Sequence, residues 1–148
     1  MTANKATDIF HRYLADKGIK KSFPRETVLN VFLGSNKHLS LNEIYALVQK
    51  NHPRAGFTTV YRAMKIISDA GIAEKVDFGD GIIRYERTRE DEHHDHLVCR
   101  LCGGVTEVFN QEIETLQDEM AEEHEFHPTD HRLVIFGHCQ VCLRKGGI

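Results

Sequence analysis

Three features of this 148-residue chain predict an α+β fold in two modules. Helix-periodic segments run to a glycine-centred hairpin that ends near residue 86. A stretch with no apolar residue, RTREDE at 87–92, follows as a linker. From 93 to 148 come short strand-like segments, one helix and two cysteine pairs, which read as a small α/β domain.

The elements of the first module follow from periodicity and punctuation. Residues 5–17 place Ile9 and Tyr13 at helical spacing, with Phe10 and Leu14 on a flank, and Gly18 stops the run. SFPRETVLNVFL offers Ser22 as an N-cap with Pro24 in the first turn. SLNEIYALVQK has Ser40 and Glu43 at capping-box spacing, before a stripe of Ile44, Leu47 and Val48. A helix over 58–70 lines up Val60, Met64 and Ile67, with Gly71 at its C′ position. IAEKVDF and IIRYE then flank Gly79-Asp80-Gly81, a β-hairpin. Helices ending in such a hairpin give residues 1–86 the plan of a winged helix-turn-helix domain.

In the second module, HLVCRL and VTEVF read as strands. Asn110 caps a helix over about 111–124, and HRLVIFG is a third strand opened by His131.

Composition narrows the function class. With 41% hydrophobic and 28% charged residues the chain has a globular make-up. It has no apolar run near the ~18 residues of a membrane span. The N-terminal MTANKATDIF lacks the apolar core of a secretory signal, so a cytoplasmic location and no membrane partner are expected. Net charge is −3, but it is unevenly spread. Residues 1–67 hold eleven Lys/Arg against four Asp/Glu, and residues 68–148 hold eight against eighteen. A basic first half is drawn to phosphate, and an acidic, histidine-rich second half to cations.

The four cysteines form two pairs, Cys99/Cys102 and Cys139/Cys142. Two residues between thiolates let both sulfurs face one ion, and two such pairs complete a tetrahedral zinc site. A dithiol redox centre or buried free thiols are the alternatives. A closed four-sulfur site has no open position for a reaction, so the expected role is structural.

Other metals must then bind through nitrogen and oxygen. In extended chain, alternate side chains face opposite sides. His94 and His96 therefore share one face, and His93 and Asp95 the other, so one tetrapeptide can serve two separate sites; a solvated surface patch is the alternative. Glu86, Glu107, Glu114 and His131 are further donors. Imidazole with carboxylate suits Fe(II), Mn(II) or Zn(II), and intrinsic affinity favours zinc over iron.

The order of winged helix, TVYR (59–62), HHDHLVCRLCG (93–103) and a C-terminal CQVC (139–142) resembles the ferric uptake regulator family of bacterial repressors, from about residue 10 to Cys142. The resemblance implies a homodimer, or a tetramer of two dimers, with an N-terminal winged-helix DNA-binding domain and a C-terminal α/β dimerisation domain. It implies structural zinc on Cys99, Cys102, Cys139 and Cys142. It implies a regulatory metal between the domains on His38, Glu86, His94, His96 and Glu107. A further metal site would use His93, Asp95, Glu114 and His131. Zinc sensors of the family place a cysteine near position 86, and peroxide sensors carry aspartates where this chain has Glu86 and Glu107. Both differences favour Fe(II), with Mn(II) or Zn(II) able to substitute.

For DNA, the helix over 58–70 turns Thr59, Tyr61, Arg62 and Lys65 outward or partly outward. The resemblance implies that Tyr61 touches thymine methyls, Arg62 binds phosphate, and Lys20 approaches the minor groove of a palindromic operator. The expected function is a Fe(II)-dependent repressor of iron-homeostasis genes that is not an enzyme. The alternatives are a peroxide-sensing repressor using Fe(II)-promoted histidine oxidation and a metal-dependent hydrolase. The hydrolase lacks any HExxH-like motif and leaves the winged helix unexplained. His11, His52, His124 and His127 read as surface or packing residues, and His138 as a neighbour of the zinc clamp.

Overall fold

A computed structural model of the chain describes residues 1–89 and 94–146. It divides into two compact units, Met1–Asp91 and Glu92–Ile148.

The first unit runs α1 (Ala3–Asp16), α2 (Phe23–Leu33), β1 (Leu39–Ser40), α3 (Leu41–Asn51), α4 (Phe57–Asp69), β2 (Ala73–Asp77) and β3 (Ile83–Arg87). The buried stripe of α1 is Ala6, Phe10 and Leu14, not the expected Ile9 and Tyr13, which are half-buried. Both sets repeat at i, i+4, so periodicity alone did not choose between them. Ser22 holds the N-cap position of α2 without a side-chain capping bond. The capping box of α3 is complete: Ser40 Oγ accepts from the Glu43 N–H at 3.2 Å, and Glu43 Oε2 accepts from the Ser40 N–H at 2.7 Å. Helix α4 begins at Phe57, one residue earlier than expected, and buries Val60, Ala63, Met64 and Ile67 against a core that includes Phe10, Leu29, Phe32 and Ile44.

The sheet order is β1-β3-β2, all antiparallel. Strand β1 has two residues, too short for a period-2 pattern to declare it. The hairpin turn works because Gly79 and Gly81 sit at φ +86° and +84°, where side chains are strained. Strand β3 continues to Arg87, and the Thr88 N–H donates to Ile72 O at 3.0 Å. The first two residues of the expected linker therefore belong to the first unit, Glu90, Asp91 and Glu92 lie outside the described residues, and Arg89 is coil.

The second unit runs β4 (Asp95–Cys99), β5 (Val105–Val108), α5 (Gln111–Glu123), β6 (Val134–Gly137) and α6 (Gln140–Arg144). Strand order is β5-β4-β6, with β4 antiparallel to β5 and parallel to β6. A parallel neighbour needs a crossover, which α5 supplies. Asn110 Oδ1 caps α5, accepting from the N–H groups of Glu112 and Ile113 at 2.9 and 3.2 Å. His131 does not open the third strand; β6 starts at Val134 and His131 lies in the preceding coil. The short α6 was not anticipated, being one turn of a sequence dominated by its cysteines.

Candidate metal centres and nucleic-acid interface

The knuckle between β4 and β5 and the step from β6 into α6 bring the four cysteines together. Their sulfurs lie within 4.8 Å of one another. Cys99 Sγ is 3.9 Å from Cys142 Sγ, and Cys102 Sγ is 3.8 Å from Cys139 Sγ. A tetrahedron with ~2.3 Å zinc–sulfur bonds has edges of about 3.8 Å, so this is the spacing a zinc ion requires. Disulfide-bonded sulfurs would be ~2.05 Å apart. Gly103 makes the knuckle turn at φ +70°, and its N–H donates to Cys99 O at 2.9 Å. Backbone N–H groups of Cys102 and Cys139 hold the Cys99 thiol at about 6, well below its ordinary value. Hydrogen bonding to Cys139 foremost pushes Cys142 up to about 12. One sulfur ready to ionise beside another that resists it is what crowded thiols do before a dication neutralises them.

A second cluster joins Asp95, Glu114 and His131, whose donor atoms also lie within 4.8 Å of one another. They come from the start of β4, the first turn of α5 and the coil before β6. His131 Nε2 is 3.0 Å from Glu114 Oε2, and Asp95 is only 2% exposed. One nitrogen and two carboxylates suit a hard or borderline dication. His93, the fourth residue expected here, lies outside the described residues.

The remaining donors form one pair in each unit. In the first, the pairing of Leu39 with Tyr85 carries His38 alongside Glu86, and His38 Nε2 is 2.7 Å from Glu86 Oε2. His38 is 7% exposed and its ring packs on Phe78, centroids 5.6 Å apart. In the second unit, His96 stands directly opposite Glu107 in the β4–β5 ladder, so the two share a face. Asp95, the adjacent residue, faces the other way into its own cluster. His94 precedes the strand and is half-buried.

The outward face of α4 carries Tyr61, 47% exposed, with Arg62 and Lys65 exposed and Thr59 partly so. Lys65 Nζ meets Asp69 Oδ2 at 2.9 Å on the open surface, and that hydrogen bond raises its pKa, so it is charged at neutral pH. Tyr61 and Lys65 line one side of a cleft of about 390 Å³ whose other side is Lys75 and Tyr85 of the hairpin. Exposed Lys20 follows α1, and its carbonyl accepts from Arg25 Nη1 at 2.6 Å. The histidines without a chemical assignment have ordinary places. His11 pairs with Glu26 at 2.7 Å between α1 and α2, and His52 packs edge-on against Phe23. His124 is the C-cap of α5, and His127 and His138 are exposed. Sequence reading overlooked Phe57, at the head of α4 and 43% exposed, and the Asp80–Arg84 pair inside the hairpin. A helical wheel drawn from residue 57 finds the first, and the spacing Asp80/Arg84 across a glycine turn hints at the second.

A winged helix-turn-helix with a basic recognition face, together with an α/β unit built around clustered metal donors, defines a metal-responsive regulator. The family model of the Ferric uptake regulator family matches residues 16–136, and the chain belongs to that family. Its regulators are DNA-binding dimers. The ferric uptake regulation protein of Neisseria meningitidis (serogroup A) is 40% identical over 134 residues, 90% of this chain and 92% of the relative. A solved zinc-bound manganese uptake regulator is 36% identical at a TM-score of 0.77, covering 88% of this chain and 98% of that one. The Helicobacter pylori ferric uptake regulator, described as having three functional metal binding sites, matches at a TM-score of 0.79 and 26% identity, with 97% and 95% covered. Among the described residues no helix is long and apolar enough to cross a membrane.

Proposed function

We propose that this chain is a Fe(II)-responsive repressor of iron-homeostasis genes that binds a palindromic operator as a homodimer. The observation that carries it is the division of donors. All four cysteines are spent in one closed cluster, which leaves His38 with Glu86 and His96 with Glu107 as sulfur-free pairs, one in each unit. An ion ligated by both pairs, with His94 as an added donor, would fix the orientation of the winged helices. Metal and operator would then favour the same arrangement, and each would raise the other's affinity, typically by 5- to 150-fold. The cysteine cluster holds zinc as a structural ion, and Asp95, Glu114, His131 and His93 form a further site. Tyr61 reads thymine, while Lys20, Thr59, Arg62 and Lys65 contact the DNA around it, Arg62 on a phosphate. The exposed apolar side chains of the second unit support a partner copy: Leu116 and Met120 on α5 are 62% and 59% exposed, and α5 buries no residue within the chain.

Manganese sensing is the second reading, favoured by the 36% identity to a manganese uptake regulator. One experiment separates them: anaerobic operator affinity titrated with Fe(II), Mn(II) and Zn(II), followed by a peroxide challenge. Fe(II) should strengthen binding at a lower free concentration than Mn(II), while Zn(II), favoured by intrinsic affinity, acts lower still and does not separate the two readings. A lower threshold for Mn(II) supports the second reading, and loss of binding with histidine oxidation at low peroxide supports a peroxide sensor. His96→Ala should abolish the metal-dependent increment while leaving a folded, zinc-containing dimer; undiminished metal dependence would overturn the proposal.

A further inference from the structure

Phe57 is the first residue of α4 and precedes Tyr61 by one turn. A single exposed aromatic is ordinary on a protein surface, so its place has to carry the meaning. Its ring meets Tyr45 of α3 edge-on, centroids 5.5 Å apart and planes at 75°. Tyr45 is held in turn, because its hydroxyl accepts from Gln49 Nε2 at 2.6 Å. Phe57 therefore has one side fixed by the preceding helix and 43% of its surface open to solvent.

The N-terminal residues of a recognition helix are those that approach base edges. The neighbouring face carries Tyr61, Arg62 and Lys65, so the open side of Phe57 is continuous with the basic face that meets DNA. A phenyl ring has no donor or acceptor with which to read polar base edges. In the major groove the apolar feature available to it is the C5-methyl of thymine. Four residues of helix advance about 6 Å, and successive bases on one strand are spaced about 3.4 Å. Phe57 and Tyr61 thus reach different bases, roughly two steps apart.

We propose that Phe57 is a specificity-determining residue that reads a second thymine methyl, about two base steps from the one under Tyr61. The inference rests on the DNA-binding reading above and adds a residue and a ligand group to it. The test uses full-length, Mn(II)-loaded protein and a duplex selected with it from a random pool. Each thymine is replaced singly by deoxyuridine, which removes only the methyl, and affinity is read by fluorescence anisotropy. Wild type should weaken about fourfold at a thymine that Phe57 reads, the worth of one buried methyl. Phe57→Ala, which removes the ring from both protomers, should lose about sixteenfold on the parent duplex and become indifferent to uracil at that position, while still responding at the thymine under Tyr61. Phe57→Leu, which keeps an apolar side chain, should retain part of the response. Full affinity in Phe57→Ala overturns the proposal. So does an equal loss in both variants on every duplex with all uracil responses intact, which marks a packing role. Failure of wild type to select any duplex refutes the DNA-binding reading itself, and this inference with it.

Discussion

Removing the Asp80 carboxylate should destabilise the first unit by about 3 kcal/mol. Asp80 lies in the hairpin turn and Arg84 points back from β3 beneath it. The Arg84 side chain is 1% exposed and that of Asp80 10%. Arg84 donates to both carboxylate oxygens, Nη1 to Oδ1 at 3.1 Å and Nη2 to Oδ2 at 2.8 Å, and the Ile82 N–H donates to Oδ1 at 3.1 Å. Arg84 also lies over the Phe78 ring at 5.4 Å, and Phe78 packs on His38. Asp80→Ala would remove the carboxylate paired with the buried Arg84 guanidinium, a change that costs about 3–5 kcal/mol. The lower end applies because a hairpin tip can open to admit water. All four tyrosines fall in the first unit and the chain has no tryptophan, so tyrosine fluorescence follows this unit alone. With a urea slope of about 1.5 kcal/mol/M, the midpoint should fall by about 2 M. Adding Arg84→Met to Asp80→Ala should recover most of the loss, because a well-packed apolar pair replaces a buried ion pair at little cost. The Arg84 hydrogen bond holds the Asp80 carboxyl below its ordinary value. Its contribution is therefore present above the unfolded pKa of about 3.9 and disappears as pH falls through the folded value. The gap between wild type and Asp80→Ala should narrow below about pH 4. A midpoint shift under 0.5 M at pH 7, or a double variant no better than the single, would refute the reasoning.

Cys99→Ser should abolish bound zinc and leave the second unit unfolded or monomeric, checked by metal analysis and sedimentation; a stable zinc-free dimer would contradict the structural role. Met120→Glu places a charge on the exposed apolar face of α5 and should shift dimer to monomer at micromolar concentration, measured by sedimentation. Phe10→Ala removes a fully buried ring from the first unit's core and should cost about 3–5 kcal/mol in tyrosine-detected unfolding. Arg62→Ala should weaken binding evenly across operator variants and reduce the slope of log affinity against log salt by about two, one phosphate contact per protomer.

How much of this was legible in the sequence depended on whether the signal was local. The capping box of α3, the glycine turn and the two cysteine knuckles are each written within a few residues, and each stands where expected. Of HHDH, only Asp95 and His96 fall within the described strand, and period 2 is a property of the strand itself. It could show that Asp95 and His96 diverge, but not that Glu114 and His131 meet Asp95, since those contacts depend on the β4–β6 register and the seating of α5. The choice of Phe10 over Ile9 in α1 failed for the same reason: two adjacent stripes are equally apolar, and only the partner helix decides between them. Strand β1 is the extreme case, two residues whose existence depends entirely on pairing with β3.

The two units stand on different physical footings. The first has a core of interlocked aliphatic and aromatic side chains. In the second, among the described residues, only Val98, Cys99 and Asp95 are buried, while Leu97, Phe109, Leu116, Met120, Phe126 and Ile135 are exposed. Fewer than sixty residues with so thin a core do not fold on hydrophobic burial alone. The four-sulfur cluster ties Cys99 and Cys102 of the β4–β5 knuckle to Cys139 and Cys142 around α6, so a zinc ion there adds its binding free energy to folding. A partner copy covering α5 and the open sheet face would supply the rest. Stability of this unit should therefore depend on the four-sulfur zinc and on protein concentration, whereas tyrosine-detected unfolding of the first unit should not depend on protein concentration. A melting temperature for the second unit that stayed fixed across a hundredfold dilution of zinc-loaded protein would show that its own core suffices.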